Sequence, residues 1–408
     1  MQIQKQRTIS RAKLTSMVTS VLLFINFFSF SSQKLAEIYD KNALLFNAVM
    51  ILIILCLELG IIRRIDGLIV LYFGGFLALE IIIGETSIGS ALNILFMIST
   101  IMAFKYVKIG NGFWRTVLIP ITISLIYVIF HAKNYWTLFD LTDQGLITED
   151  KIYINPNTLS VFLTIAYIIL SLYSERKRVQ RKWLWPIRIG ILFLNYLLKC
   201  RTGMMIFSLV MLLELIIPYK LWLSRRFALS AYSVVLFCGI GFPRLFCSLS
   251  TNQTLNYFIH DLTGKFLFTG RERIWLNFYE YVDSNPIAYL FGVGTDNVAV
   301  IIGNSSIHNS YLWIMSNCGI IGVLLVDLFI LWMINRAYRN GINRMKIICV
   351  WGYLVVLLNF YTEATICYGF TAVIMNMLLG LTNNNSLKVI GDKNECNKSN
   401  NYYCLLQR

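Results

Sequence analysis

The chain has 408 residues, of which 57% are apolar and 14% charged, with a formal net charge of +15 and a mean hydropathy of +0.63. An ordinary soluble domain carries about 25% charged residues, so the composition excludes a cytosolic enzyme, a secreted disulfide scaffold and a disordered chain, and leaves an integral membrane protein with many spans. The excess of Lys and Arg then reads as topology, not as a nucleic-acid footprint, and nine cysteines without a Cys-x-x-Cys pair indicate neither a metal site nor a disulfide framework.

A spanning helix needs roughly 17–25 predominantly apolar residues. In chain order such runs fall at 14–31, 43–62, 65–83, 88–104, 113–131, 157–173, 183–199, 204–218, 227–243, 310–334, 346–361 and 364–381, predicting about twelve transmembrane helices. The first run follows Lys5, Arg7, Arg11 and Lys13 but has no small-residue cleavage site after it, so it is read as a span and not as a signal peptide. With the N-terminus cytoplasmic and every run crossing, 25 Lys and Arg fall inside and 10 outside, with Arg188 within a span. That bias places both termini in the cytoplasm. Nine helices then occupy 1–243, a long extracytoplasmic loop 244–309, three more helices 310–381, and a cytoplasmic tail 382–408. Residues 132–156, with Asp140, Asp143, Glu149 and Asp150, form a second outer segment. The tail is rich in Asn and Lys and is expected to be loose.

The outer loop carries the informative residues, since loops of that length are usually functional. Gly270-Arg271-Glu272-Arg273-Ile274-Trp275 opens a stretch in which Ile274, Trp275, Phe278, Tyr281 and Val282 recur at helical spacing. This predicts an amphipathic helix on the outer membrane surface, ended by Asn285-Pro286. Arg271 and Arg273 in its first turn are either snorkelling anchors or an anion site, because guanidinium forks and helix-start N–H groups both suit phosphate. Arg201, in the tight outer turn Lys199-Cys200-Arg201-Thr202-Gly203, runs against the charge rule. It needs a partner, either an acid such as Glu80 or Glu363 in a structural pair or an anionic ligand. His308 lies at a loop-to-helix junction before Asn309 and is either a structural histidine or a catalyst. The intramembrane acids Glu58, Glu80, Glu214 and Asp327 are scattered over four spans, which suits structural pairing better than a proton relay. Gly292-Val293-Gly294 has no strand–helix context and is not a nucleotide fingerprint.

Taken in order, these motifs resemble the O-antigen polymerase and O-antigen ligase superfamily. They are Arg201-Thr202-Gly203, Gly270-Arg271 with Ile274-Trp275, Asn285-Pro286, Gly292-Val293-Gly294, His308-Asn309 with Leu312, and Gly319-Ile320-Ile321-Gly322, covering residues 201–322. Asn317-Cys318 departs from the pattern, in which a glutamate often precedes the glycine. The resemblance implies an all-α, GT-C-like polytopic membrane protein of the plasma (inner) membrane with its active site outside. It implies a glycosyltransferase that takes undecaprenyl-diphosphate-linked oligosaccharide, uses no cofactor and no metal, and works with a flippase and a chain-length regulator. On that reading the chain is an inverting polysaccharide polymerase for capsule, exopolysaccharide or O-antigen, moving a growing glycan onto a lipid-linked repeat unit. A ligase of the same superfamily and a flippase of lipid-linked oligosaccharide are the alternatives. The residues independently suit such chemistry. A diphosphate leaving group needs cations more than an acid, which Arg201 and Arg271 would supply with help from Arg273. Asn309 would add a substrate contact, and His308 would be the base for the attacking hydroxyl.

The charge bias makes a direct prediction. A cysteine introduced near Gln253 should react with a membrane-impermeant thiol reagent in intact cells, and one at Arg178 should not; the opposite pattern overturns the orientation.

Overall fold

A computed structural model of the chain describes residues 2–40, 42–59, 61–83, 88–143, 156–198, 200–263, 270–303, 307–363 and 369–387. Their regular structure is helical. The helices are α1 (Gln2–Phe28), α2 (Gln33–Asp40), α3 (Ala43–Glu58), α4 (Arg64–Ile83), α5 (Ile88–Tyr106), α6 (Asn111–Asp143), α7 (Pro156–Arg176), α8 (Trp185–Leu197) and α9 (Arg201–Leu215). They continue with α10 (Tyr219–Trp222), α11 (Arg225–Leu249), α12 (Gln253–Thr263), α13 (Arg271–Ser284), α14 (Pro286–Phe291), α15 (Thr295–Ile302), α16 (Ser310–Arg339), α17 (Arg344–Asn359) and α18 (Gly369–Thr382).

Among the described residues, each of the twelve apolar runs contains a helix, because stretches of Leu, Ile, Val and Phe leave the backbone no polar partner but itself. Among the described residues, seven helices are long and apolar enough to cross a membrane: α1, α4, α5, α6, α7, α11 and α16. The other five runs form shorter helices, α3, α8, α9, α17 and α18, of 13 to 16 residues. At 1.5 Å per residue these reach about 20–24 Å, short of a hydrocarbon core of about 30 Å. The acids Glu149 and Asp150 lie outside the described residues, as do Lys199 and the tail from 388.

The core sits where α5, α7, α16, α17 and α18 meet. Almost every side chain of α17 from Met345 to Leu357 is buried, and α18 packs against both α5 and α17. The pair α1 and α6 and the hairpin α8–α9 surround this centre, and α13, α14 and α15 close one end of it.

Polar clamps hold the opposite end. Asp66 at the start of α4 is fully buried and takes Lys105 Nζ of α5 at 2.5 Å, together with the Arg336 guanidinium of α16 and the Tyr106 hydroxyl. Asp66 with Arg336 and the edge-to-face rings of Phe73 and Phe329 set α4 and α16 in antiparallel register. The chain after α18 is not loose at its start, as expected from 382. Asn384 Nδ2 donates to the carbonyls of Phe104 and Val107, Asn383 Nδ2 donates to that of Met333, and Leu387 is fully buried. The Asn384 amide thereby satisfies carbonyls that the end of α5 leaves open.

Of the apolar-segment acids, Glu214 is structurally paired. Its carboxylate takes Arg188 Nη2 at 2.7 Å and the Tyr167 hydroxyl, while Arg188 Nε donates to Tyr167 Oη at 2.7 Å. Breaking a buried pair strands the other charge, at about 3–5 kcal/mol. Glu214→Ala should therefore lower unfolding stability in detergent by about that amount, and the double change Arg188→Met with Glu214→Leu should recover most of it. Equal losses in both variants would mean the pair's charges do not matter.

Candidate functional site

The end of the bundle closed by α13–α15 gathers the N-termini of α7, α9, α13 and α16 around one carboxylate, Glu363, in the segment after α17. Arg271, the first residue of α13, donates from Nη2 to Glu363 Oε1 at 2.7 Å and from Nη1 to the Thr362 carbonyl at 2.6 Å. Asn157 at the start of α7 donates to the same Oε1 at 2.6 Å. His308 Nδ1 stands 3.9 Å from Oε2. Ser310, the first residue of α16, donates its hydroxyl to the Glu363 carbonyl at 2.8 Å. Burial opposes the Glu363 charge, but the nearby His308 and the charge and hydrogen bond of Arg271 outweigh it and hold the carboxyl below its ordinary range.

Arg201 joins from the turn between α8 and α9. Its neighbour Cys200 donates its thiol to Asn157 Oδ1 at 3.1 Å, and Cys200 Sγ in turn accepts Gly203 N, capping α9. Arg201 is close enough to Arg271 for their like charges to oppose one another. The Arg-x-Gly spacing has a packing reason: a Cβ on Gly203 would lie 1.8 Å from Ser160 Oγ and 2.4 Å from Asn195 Oδ1. Only glycine lets α9 approach α7 and α8 so closely at that level.

The expected amphipathic helix is α13, Arg271–Ser284, but its apolar face packs on protein. Trp275, Phe278, Tyr279 and Val282 are buried, and Tyr281, expected on that face, is exposed. Trp275 packs edge-on against Phe242 and Phe246 of α11, and its indole N–H donates to the Ile307 carbonyl at 2.7 Å. That bond fixes the residue before His308. Arg271 is thus ion-paired and not a snorkelling anchor, whereas Arg273, about 200° further round the helix, is exposed and outside the cluster. Asn285-Pro286 ends α13 and starts α14: the Asn285 side chain caps α14 on Ala288 N, with proline in the first turn.

His308 has φ +48°, a left-handed backbone uncommon outside glycine. Such strain persists only where surroundings over-determine it, here Trp275 on one side and the α16 cap on the other. That cap is Asn309, whose Oδ1 accepts Leu312 N at 2.9 Å and whose Nδ2 donates to the Tyr361 carbonyl at 2.7 Å. Asn309 is fully buried, so its expected substrate contact is replaced by a structural role.

The two glycine motifs prove to be one feature. Helix α16 is broken at Cys318 and Gly319, where Gly319 has φ +60° and ψ −169°. The Gly292–Gly294 segment lies against this break, with Val293 N and Gly294 N donating to the Ser316 carbonyl at 2.7 and 3.1 Å. A Cβ on Gly319 would lie 1.9 Å from the Leu290 carbonyl oxygen, and one on Gly292 2.7 Å from the Asn317 carbonyl carbon. Irregular backbone is tolerated in an apolar bundle only where protein surrounds it and satisfies it.

The structure therefore brings together Arg201, Arg271 and His308 and sets Arg273 and Asn309 aside. It adds Glu363 at the centre, with Asn157, Ser310 and the Thr362 carbonyl around it. Glu363 stands in the sequence only as a possible partner of Arg201; its pairing here is with Arg271. The signal for it was an acid in the turn between two apolar runs. No protein-family model matches the chain, and no curated protein and no solved structure matches it.

A carboxyl held below its ordinary pKa stabilises the fold above that value and ceases to as pH falls through the lowered one. Glu363→Gln should destabilise the protein at neutral pH. It should also flatten the loss of thermal stability that the unmodified protein shows on acidification below 4.5, the ordinary glutamate value. Parallel pH profiles for the two would remove Glu363 from the hub of this end of the bundle.

Proposed function

We propose that this chain is an extracytoplasmic glycosyltransferase of the plasma membrane, a polysaccharide polymerase that moves a glycan from undecaprenyl diphosphate onto a lipid-linked repeat unit. One observation carries the reading: Arg271 and His308 share the Glu363 carboxylate beside Arg201, where four helix N-termini converge. Those N-termini and guanidinium groups create a positive field suited to a diphosphate. The twelve-span GT-C-like topology with both ends cytoplasmic belongs to the same reading, and it puts this cluster outside, where no nucleotide sugar is available and the activated bond arrives on lipid.

On this reading each residue has a role. With Nδ1 of His308 toward Glu363, Nε2 is the nitrogen that takes the proton of the attacking hydroxyl, and Glu363 stabilises the imidazolium that forms. The new bond joins that hydroxyl oxygen to the anomeric carbon. The bond from the anomeric carbon to the diphosphate oxygen breaks, and its electron pair leaves with the lipid diphosphate toward Arg201. Arg271 is a positioning residue first, since two of its N–H groups are committed to Glu363 and Thr362.

The test is the lipid-linked glycan left in a strain lacking the protein. A polymerase leaves single repeat units facing outward, a ligase leaves full-length lipid-linked polymer, and a flippase leaves repeat units on the inner face; either of the last two outcomes replaces the proposal. On complementation, His308→Ala should lower polymer synthesis by roughly 10²–10⁴-fold, and Arg201→Ala by about 100-fold or more, with protein level retained. Arg201→Lys should rescue poorly, because an ammonium cannot reproduce the fork. Near-normal polymer from His308→Gln would make His308 a hydrogen-bonding residue and not the base.

A further inference from the structure

Arg176 closes α7 at the end of the bundle opposite Glu363, about 28 Å along the helix from Asn157. It is only 9% exposed, yet among the described residues no carboxylate pairs with it. The buried cations Arg188 and Lys105, by contrast, each sit on a carboxylate. Glu175, next to Arg176 in the chain, faces Arg344 at 3.7 Å instead. Arg176 Nη2 donates to Asn111 Oδ1 at 3.1 Å, and the guanidinium lies 5.8 Å from the centre of the Trp114 ring. Two donors at this contact, Arg176 Nε and the Trp114 indole N–H, are buried and have no acceptor among the described residues. Asn111 is also the first residue of α6, so the contact sits on a helix start with open backbone N–H groups. A Cβ added at Gly110 or Gly112 would meet nothing within 4 Å, which leaves that backbone open to approach. The sequence has no acid from 107 to 139 or from 176 to 213, whereas Lys108, Arg115 and Lys177 are exposed in the same two segments.

We propose that Arg176, Trp114 and the start of α6 bind the phosphate of an anionic phospholipid. Both α6 and α7 are long, apolar helices with an end here, so the site lies at headgroup depth, in the inner leaflet under the topology proposed above. Water would accept either open N–H but would leave the guanidinium charge uncompensated. A phosphate takes several donors at once and carries the opposite charge. The exposed cations around it favour a headgroup of net negative charge, such as phosphatidylglycerol, over zwitterionic phosphatidylethanolamine. Bound there, the lipid ties the start of α6 to the end of α7, as the Asp66 carboxylate ties α4 to α5 and α16. The site does not depend on the transferase reading. Soluble phosphate offers the same oxygens, and the experiment separates the two sources.

Native mass spectrometry of the full-length protein in detergent would titrate phosphatidylglycerol, phosphatidylethanolamine and, separately, inorganic phosphate. The unmodified protein should retain its first phosphatidylglycerol several-fold more tightly than phosphatidylethanolamine. Trp114→Phe keeps a ring beside the guanidinium and removes only the N–H, and it should weaken phosphatidylglycerol several-fold with the protein level unchanged. Arg176→Gln keeps a donor for Asn111 but no charge, and it should abolish the preference for the anionic lipid. Lys220→Gln, at an exposed cation of α10 on the same end of the bundle, should change neither. In nanodiscs, added phosphatidylglycerol should raise the melting temperature of the unmodified protein more than that of Trp114→Phe. Equal retention of the two lipids, an equal loss in Lys220→Gln, or a preference indifferent to Trp114→Phe and Arg176→Gln overturns the proposal. Inorganic phosphate that displaces phosphatidylglycerol and is itself lost in Arg176→Gln would make a soluble anion the ligand and overturn the lipid assignment.

Discussion

The Glu363 carboxylate is the constraint on which this end of the molecule depends. It is buried, and a lone carboxylate there would be expelled or protonated. It is held instead by Arg271, Asn157 and His308, which arrive from three separate parts of the chain. Each of those groups is in turn fixed by the element that carries it, α13, α7 and the start of α16. The carboxylate thereby ties the loop after α17 to three helix N-termini, and α9 follows through Cys200 and Asn157. An anion amid several N-termini also lowers the repulsion that Arg201 and Arg271 would otherwise exert on each other.

The short helices α13, α14 and α15 act as scaffold for that cluster. Trp275 holds the backbone at Ile307, Asn309 caps α16, and the strained His308 between them has little freedom to relax. Lower down, the Gly292–Gly294 segment and the break in α16 hold each other in place through the Ser316 carbonyl. A side chain held this way has its orientation set by neighbours that are themselves buried.

The rest of the bundle handles its charges by the same rule. Asp66 binds Lys105, Arg336 and Tyr106 at the opposite end, and Glu214 binds Arg188 and Tyr167. Such pairs stabilise mainly by leaving no charge stranded, and they fix helix register more than they add net stability.

By itself, the sequence determined the helices and the motifs. Among the described residues each of the twelve apolar runs contains a helix, because long apolar stretches and bounding Gly, Pro and Asn are local signals. Helix α13 was legible from Arg271 to Ser284 for the same reason, and so was the break after it at Asn285-Pro286. The groupings of residues were not legible. Nothing local pairs Arg271 with a glutamate 92 residues away, or makes Asn309 a cap and not a substrate ligand, or joins Gly292 to Gly319 across a helix break. Five of the apolar runs form helices of 13 to 16 residues, shorter than a hydrocarbon core of about 30 Å requires. Burial, ion pairing and backbone contact between distant segments arise only when helices pack, and those decided which polar residues gather at the candidate site and which merely hold it.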